Sequence, residues 1–170
     1  VAMPMVIARA SDFGLTGYET RDELDANKAF YERMEPIRLE AGRRMGMSDV
    51  SESVTPKFGL LAPARDGGAI CARYFMPWSC HPTMAVTGSQ CLASCLLTPD
   101  TVASGLANIP NASPAVVRIE HPSGHIDVTV DYSQDANGFT LRSAGLLRTT
   151  RLLARGDLMV PAHLLERDAA

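Results

Sequence analysis

The chain has 170 residues, which is enough for one domain with its own hydrophobic core. Its net charge of −3 gives no reason to expect nucleic acid or an anionic membrane as a partner. No apolar run is long enough to span a bilayer, and the first residues lack the pattern of a signal peptide, so we expect a cytoplasmic protein.

The first 50 residues are predicted to form a strand and a helical segment. Residues 1–10 are rich in aliphatic side chains and read as a strand, followed by a loop punctuated by glycine. Thr20 and Glu23 have the spacing of a capping box and start a helix.

Residues 27–45 are predicted to continue as a longer helix. One apolar face is defined by side chains three and four residues apart: Phe30, Met34, Ile37, Ala41 and Met45. The charged residues are expected to form a solvated face: Arg33, Arg38, Glu40, Arg43 and Arg44. Pro36 should bend or break this helix, and Gly46 should end it.

The pattern changes to strands after Pro56. Residues 57–62 form a short apolar strand, and Asp66-Gly67-Gly68 is a turn signal. The next strand, residues 69–75, alternates between two faces. Cys71, Arg73 and Phe75 share one face, and Ile70, Ala72 and Tyr74 share the other.

The segment 87–97 is predicted to be a helix buried on all sides, because its residues after Gln90 include no charge. Thr87 and Gln90 have the spacing of a second capping box. With Gly88 and Ser89 allowing close approach, the N-terminus of this helix offers N–H groups to an anion. The alternative is a well-capped core helix that binds no ligand.

The last third of the chain is predicted to be mainly strands. Residues 115–120 and 125–132 form a hairpin across residues 121–124, and residues 139–155 supply one or two further strands. No pattern places the tail, residues 158–170. These elements predict an α+β fold, in which a curved, mainly antiparallel sheet wraps around the buried helix.

The four cysteines, Cys71, Cys80, Cys91 and Cys95, are expected to be free thiols, because the chain is neither small nor visibly secreted. Their spacing is not that of a metal site. His121 and His125 have a metal-like spacing, but they bracket a turn with no third ligand in sight, so we predict no metal.

Several motifs together resemble the 4-oxalomesaconate tautomerase and 2-methylaconitate cis-trans isomerase (PrpF) family. They are Gly67-Gly68-Ala69-Ile70, Ala72-Arg73-Tyr74-Phe75-Met76, Cys80-His81-Pro82, Ala85-Val86-Thr87-Gly88, Glu120-His121-Pro122-Ser123-Gly124 and Ala144-Gly145-Leu146-Leu147-Arg148-Thr149. They run in family order over nearly the whole chain. The resemblance covers the second, C-terminal half of the family's sequence only.

The resemblance implies the fold of diaminopimelate epimerase, with two pseudo-symmetric halves and an active site in the cleft between them. Residues 1–50 would then be the connecting strand and helix, residues 51–157 the core of the half-domain, and residues 158–170 the tail. The family's proton-handling Cys and Lys belong to the first half. No Gly-Asn-Cys-Gly-Asn run is present here, and the position of the second epimerase Cys falls on Ala85.

The resemblance therefore implies no catalytic residue in this chain but a surface that binds substrate carboxylates. The candidates are Arg73, Met76, His81, Met84, Thr87, Gly88 and Ser89. Arg73 suits a carboxylate because its guanidinium can donate two parallel hydrogen bonds to the two carboxylate oxygens. The alternative is an exposed arginine on an edge strand. His81 either binds a carboxylate or bonds the backbone. Met76 and Met84 either wall the pocket or belong to the core.

The expected function is a cofactor-independent isomerase of the 4-oxalomesaconate tautomerase type. The alternatives are a 2-methylaconitate-type isomerase, or a non-catalytic half-domain that acts only in binding or assembly. The expected partners are a small polycarboxylate, the missing N-terminal half-domain and, in a possible homodimer, a second copy.

Overall fold

A computed structural model describes residues 3–136, 138–148 and 150–161. The helices in these residues are the 3-10 helix Ala10–Phe13, α1 Arg21–Ala26, α2 Lys28–Arg44 and α3 Val86–Leu97. The strands are β1 Met5–Arg9, β2 Lys57–Ala62, β3 Ile70–Phe75, β4 Ala115–His121, β5 Gly124–Asp135 and β6 Gly138–Leu146. None of the described helices is long and apolar enough to cross a membrane.

The described strands form one six-stranded sheet in chain order, β1 to β6. The pairs β2–β3, β4–β5 and β5–β6 are antiparallel, whereas β1–β2 and β3–β4 are parallel. Helix α3 contacts both edge strands, β1 and β6, as well as β4 and β5. A flat sheet of this width would extend about 24 Å, twice the diameter of a helix, so the sheet must curl around α3. The predicted α+β class and the curved, mainly antiparallel sheet are confirmed.

The predicted burial of α3 is confirmed for most of the helix, although Cys95 is only partly buried, in a cavity that residues of β1 and β6 also line. Cys91 and Leu92 are both buried, together with Ala93, Leu96 and Leu97. The first turn emerges from the sheet, since Val86 and Thr87 are exposed. The buried residues form two clusters, one on each face of the sheet. On β3, Ile70, Ala72 and Tyr74 belong to the cluster around α3. Cys71 and Phe75 belong to the cluster under α1 and α2.

One of the two predicted capping boxes is correct. At α1, the Thr20 hydroxyl accepts the Glu23 N–H while the Glu23 carboxylate accepts the Thr20 N–H. At α3 the prediction is wrong, because the N-cap is Ala85 and its side chain cannot accept. The Gln90 amide donates instead to the Ala144 carbonyl of β6 at 2.8 Å, so it is unavailable to the helix start.

The predicted faces of α2 need a correction. Phe30 and Met34 are buried, but Ile37 is 43% and Met45 46% exposed, and Arg38 is fully buried in their place. Its guanidinium donates to the carbonyls of three residues in the loop after α2 and binds Glu35. These buried carbonyls need donors, which an aliphatic side chain cannot supply.

The other predictions about α2 can be compared directly with the structure. Pro36 does not break it, since α2 runs without interruption from Lys28 to Arg44. Gly46 follows the C-cap with φ +74, as predicted for a helix stop.

The hairpin β4–β5 is confirmed, and residues 139–155 supply β6 alone among the described residues. Residues 150–161 form neither helix nor strand and are exposed. Most of the tail, residues 162–170, lies outside the described part of the chain. The boundaries predicted for the connecting segment, the half-domain core and the tail stay predictions.

We expect Thr20→Ala to lower the free energy of unfolding by about 1 kcal/mol, because it removes an N-cap. Thr87→Ala is the matched control: its hydroxyl donates to the Met3 thioether rather than to the start of α3. Urea denaturation of both variants measures the difference. A larger loss for Thr87→Ala than for Thr20→Ala would contradict the observed caps.

Candidate functional site

Two His-Pro turns lie against each other close to the start of α3. The first contains His81 and the second, which closes the β4–β5 hairpin, contains His121. In each turn the imidazole Nδ1 accepts an N–H from two residues further on: Thr83 donates to His81 at 3.0 Å, and Ser123 to His121 at 3.2 Å. The Ser123 hydroxyl also donates to the Pro82 carbonyl at 2.6 Å, which joins the two turns.

The two imidazoles favour the neutral form. Burial lowers the pKa of His81 and His121, against smaller opposing contributions from hydrogen bonding to the backbone of Thr83 and His125, respectively. Because Nδ1 accepts an N–H in both rings, the proton of the neutral ring is on Nε2. Each Nε2–H is therefore a donor near neutral pH.

A cavity of about 430 Å³ opens beside the joined turns. We call it the His121 cavity; its lining residues are Thr83, Met84, His121, His125, Ile126, Asp127, Leu147 and Arg148. Asp127 is held by the Arg118 guanidinium at 2.8 and 2.9 Å, and this hydrogen bonding lowers the pKa of its carboxyl. Arg148, in contrast, has no ion-pair partner among the described residues. The cavity therefore suits an anion.

A second cavity, of about 260 Å³, includes Arg73, and we call it the Arg73 cavity. Its lining residues are Tyr18, Thr20, Arg21, Asp22, Arg73, Pro82, Pro122 and Ser123. Pro82 and Ser123 belong to the joined turns, whose residues Thr83 and His121 line the first cavity. The two turns therefore lie between the two cavities.

Arg73 is not the exposed edge-strand arginine of the alternative interpretation. It lies on β3, which has strands on both sides, and it is 5% exposed. Its Nε donates to the Glu19 carbonyl at 2.8 Å and its Nη1 to the Ala72 carbonyl at 3.0 Å. Nη2 makes no hydrogen bond to the described residues. The guanidinium thus fixes the loop before α1 and keeps one nitrogen for the cavity.

The start of α3 offers backbone rather than side-chain groups. Ser89 is buried and donates to the Val86 carbonyl at 2.7 Å. A Cβ on Gly88 would lie 2.4 Å from the Tyr74 ring, so the absence of a side chain there serves packing. No side chain among the described residues caps α3, which leaves the N–H groups of its first turn open to an anion.

The two methionines have different surroundings. Met84 is buried and lines the His121 cavity. Met76 is partly buried against the core around α3 and lines neither cavity. The structure therefore places Arg73, His81 and Met84 around the joined turns, whereas Thr87 is exposed on α3 with its hydroxyl on the Met3 thioether. Met76, Gly88 and Ser89 are in packing positions. The role of all these residues in substrate binding stays a prediction.

Glu120, the residue before His121, is a buried carboxylate that organises this region. It accepts the N–H groups of Arg65, Asp66 and Gly68 at 2.8, 2.7 and 2.8 Å. Desolvation raises the pKa of its carboxyl, but the three N–H donors and a nearby guanidinium outweigh that effect, and the net pKa is lowered. The ionised carboxylate thus holds the turn before β3 against the end of β4.

The cysteines are free thiols in the structure, and Cys71, Cys80 and Cys91 are buried. Burial raises the pKa of the Cys80 thiol to about 11 and also raises that of Cys71 and Cys95. A thiol that stays protonated is a poor nucleophile and a poor base. In the described part of the chain, no group of three or more His, Cys, Asp or Glu side chains is placed to hold a metal.

Sequence reasoning did not select Arg148 or His125 as binding candidates, although both line the His121 cavity. They are 23 positions apart, but the antiparallel register of β5 and β6 pairs Val128 with Leu146. Continuing this register brings Arg148 to the start of β5, where His125 lies. The available signal was the set of motifs behind the resemblance, because three of them or the residues beside them supply part of the cavity lining. These lining residues are Thr83, Met84, His121, Leu147 and Arg148.

The curled sheet around a buried helix is a fold already seen in an isomerase. The crystal structure of a methylitaconate-delta-isomerase matches with a TM-score of 0.73, over 87% of this chain and 43% of that one. Its sequence is 22% identical, so this comparison shows the fold alone.

The chain belongs to the PrpF protein family, which matches residues 1–161. The putative isomerase YbhH of Escherichia coli K12 is 46% identical over 162 residues, which are 95% of this chain and 45% of the relative. The (4E)-oxalomesaconate Delta-isomerase of Novosphingobium sp. KA1 is 41% identical over 158 residues, which are 93% of this chain and 43% of the relative. The chain thus spans a little under half the length of these relatives.

We expect Glu120→Gln to remove part of the acid sensitivity of folding. Since the folded pKa is lowered from 4.5, ionised Glu120 stabilises the fold above about pH 4.5, and this stability is lost as the pH falls through the folded pKa. The glutamine side chain has one NH₂ group in place of a carboxylate oxygen, so a donor would face a donor at one or more of the three backbone N–H groups. The melting temperature at pH 7 should fall more for Glu120→Gln than for the exposed control Glu52→Gln, and the loss should shrink towards pH 3.

Equal melting temperatures for Glu120→Gln and Glu52→Gln across this pH range would contradict the role given to Glu120.

Proposed function

We propose that the complete protein is an isomerase that moves a proton within a small unsaturated polycarboxylic acid, and that this chain binds the substrate's carboxylates. The observation that carries the proposal is the uncapped start of α3 beside the joined His-Pro turns. Backbone N–H groups at a helix start suit carboxylates, and each of the two cavities beside the joined turns contains an arginine that suits them as well. Membership of a family whose relatives are named isomerases supports the same class.

The substrate that we propose first is of the 4-oxalomesaconate type. The support is the 41% identity to the Novosphingobium oxalomesaconate isomerase over nearly all of this chain. A 2-methylaconitate-type substrate is the second candidate, and the 26% identity to the 2-methyl-aconitate isomerase of Shewanella oneidensis supports it more weakly. Both reactions transfer a proton across a three-carbon unit next to carboxylates, so they make similar demands on this surface.

The chemistry assigns different tasks to different parts of the protein. Removing a proton next to a conjugated carboxylate builds negative charge on oxygen, and fixed N–H donors stabilise that charge. In this chain the first turn of α3 and the Nε2–H of His81 supply such donors. The proton itself needs an acid/base group within hydrogen-bond reach. The buried thiols, with their raised pKa, do not suit this task.

We therefore assign the proton-transfer groups to the other half of the complete protein. In this proposal the two halves have the arrangement of diaminopimelate epimerase, and the joined turns face the cleft between them. A chain that only binds polycarboxylates would use the same surface, so activity must distinguish these two functions.

We expect the 170-residue chain alone to give no turnover of 4-oxalomesaconate, and the complete protein that contains it to give turnover. An ultraviolet assay that follows loss of the conjugated enol measures both. Turnover by the chain alone would contradict the assignment of the proton-transfer groups. A complete protein that is inactive on 4-oxalomesaconate and on 2-methylaconitate would contradict the isomerase proposal.

In the complete protein, His81→Ala should raise KM about tenfold, the cost of one hydrogen bond to a charged group. Thr129→Ala is the control, because this exposed position on β5 lies outside the joined turns and the start of α3. Steady-state kinetics of both variants measure the difference, and an unchanged KM for His81→Ala would contradict a contact between this imidazole and the substrate.

A further inference from the structure

We propose that the His121 cavity binds a second carboxylate of the ligand, with Arg148 and His125 as the groups that contact it. This inference rests on the proposed function, since only a ligand with at least two carboxylates would use both this cavity and the start of α3. It assigns a direct binding role to two residues outside α3 and its preceding loop.

The sheet register brings the two groups together. Val128 pairs with Leu146 across β5 and β6, and Glu120 pairs with His125 across β4 and β5. His125 therefore lies at the start of β5, and Arg148 lies two residues beyond the last residue of β6, at the same end of the sheet. Both side chains line the same cavity of about 430 Å³.

Among the charged residues that line the cavity, the Arg148 guanidinium is available to pair with a ligand. Asp127 is the acidic residue in the lining, and the Arg118 guanidinium already binds both of its carboxylate oxygens. Arg148 is exposed and has no ion-pair partner within the described residues. A guanidinium without a partner, beside an acid that is already paired, is suited to a bidentate carboxylate.

The apolar part of the lining fits the carbon chain of such a ligand. Met84 and Ile126 form part of the wall, and Leu147 is 94% exposed next to Arg148. A carboxylate bound at Arg148 would bring the adjoining carbons of the ligand against these side chains, which removes apolar surface from water.

The loop before α3 connects the two proposed carboxylate positions. Thr83 and Met84 line the cavity and lie two or three residues before Val86, the first residue of α3. In this proposal a ligand with several carboxylates occupies both positions at once, whereas a monocarboxylate occupies one. The inference therefore predicts that affinity rises with the number of carboxylates.

The test is a titration of the ¹⁵N-labelled 170-residue chain with tricarballylate, a tricarboxylate that has no double bond to isomerise, and with butyrate. Tricarballylate should shift the amide signals of residues 125–127 and 147–148 as well as those of residues 86–88. Arg148→Gln should weaken its binding about tenfold, the loss of a hydrogen bond to a charged group. Arg151→Gln, an exposed arginine three residues further on that lines neither cavity, should leave binding within about twofold of wild type.

The outcomes separate this inference from the function on which it rests. Shifts at residues 86–88 alone, with unchanged binding by Arg148→Gln, would overturn the second carboxylate position and leave the proposed function standing. If tricarballylate shifted no signal in either region of the folded wild-type chain, both the second carboxylate position and the proposed function would be overturned. Binding of butyrate as tight as that of tricarballylate would also overturn the second position.

Discussion

The absence of charge from α3 is the constraint on which the rest of the structure depends. A helix without a polar face cannot lie on a surface without exposing apolar area to water. The sheet meets this demand by curling until both edge strands, β1 and β6, contact the helix. The buried polar side chains of α3 bond within the helix itself: Ser89 donates to Val86, and Ser94 to Gln90.

The same constraint determines where a ligand can reach the helix. With most of its middle and end buried, α3 presents its first turn to solvent, at the end of the loop that contains His81. Gln90 ties the helix to the Ala144 carbonyl of β6, the strand that leads to Arg148. The packing of α3 thus brings an open helix start, two imidazoles and an arginine to one end of the sheet.

The sequence predicted those parts of the fold that depend on local pattern. The uncharged segment identified α3, and Thr20 and Glu23 identified the cap of α1. The same pattern failed at Thr87 because a tertiary contact, from Gln90 to β6, competes with the local one. The face of α2 was also mispredicted, since Arg38 is buried to satisfy carbonyls that only the folded loop brings near. For the candidate site, the sequence indicated His81 and the α3 start as candidates, whereas the position of Arg148 beside them needed the strand register.

Native-state hydrogen exchange tests most directly whether α3 is the enclosed centre of this fold. Amide protons of an enclosed helix exchange only when the whole domain unfolds. The account predicts that the amides of residues 91–97 exchange with the full free energy of unfolding measured in urea, and that those of residues 86–88 exchange with little protection. If residues 91–97 exchanged well before the β4–β5 hairpin, the central position given to α3 would be wrong.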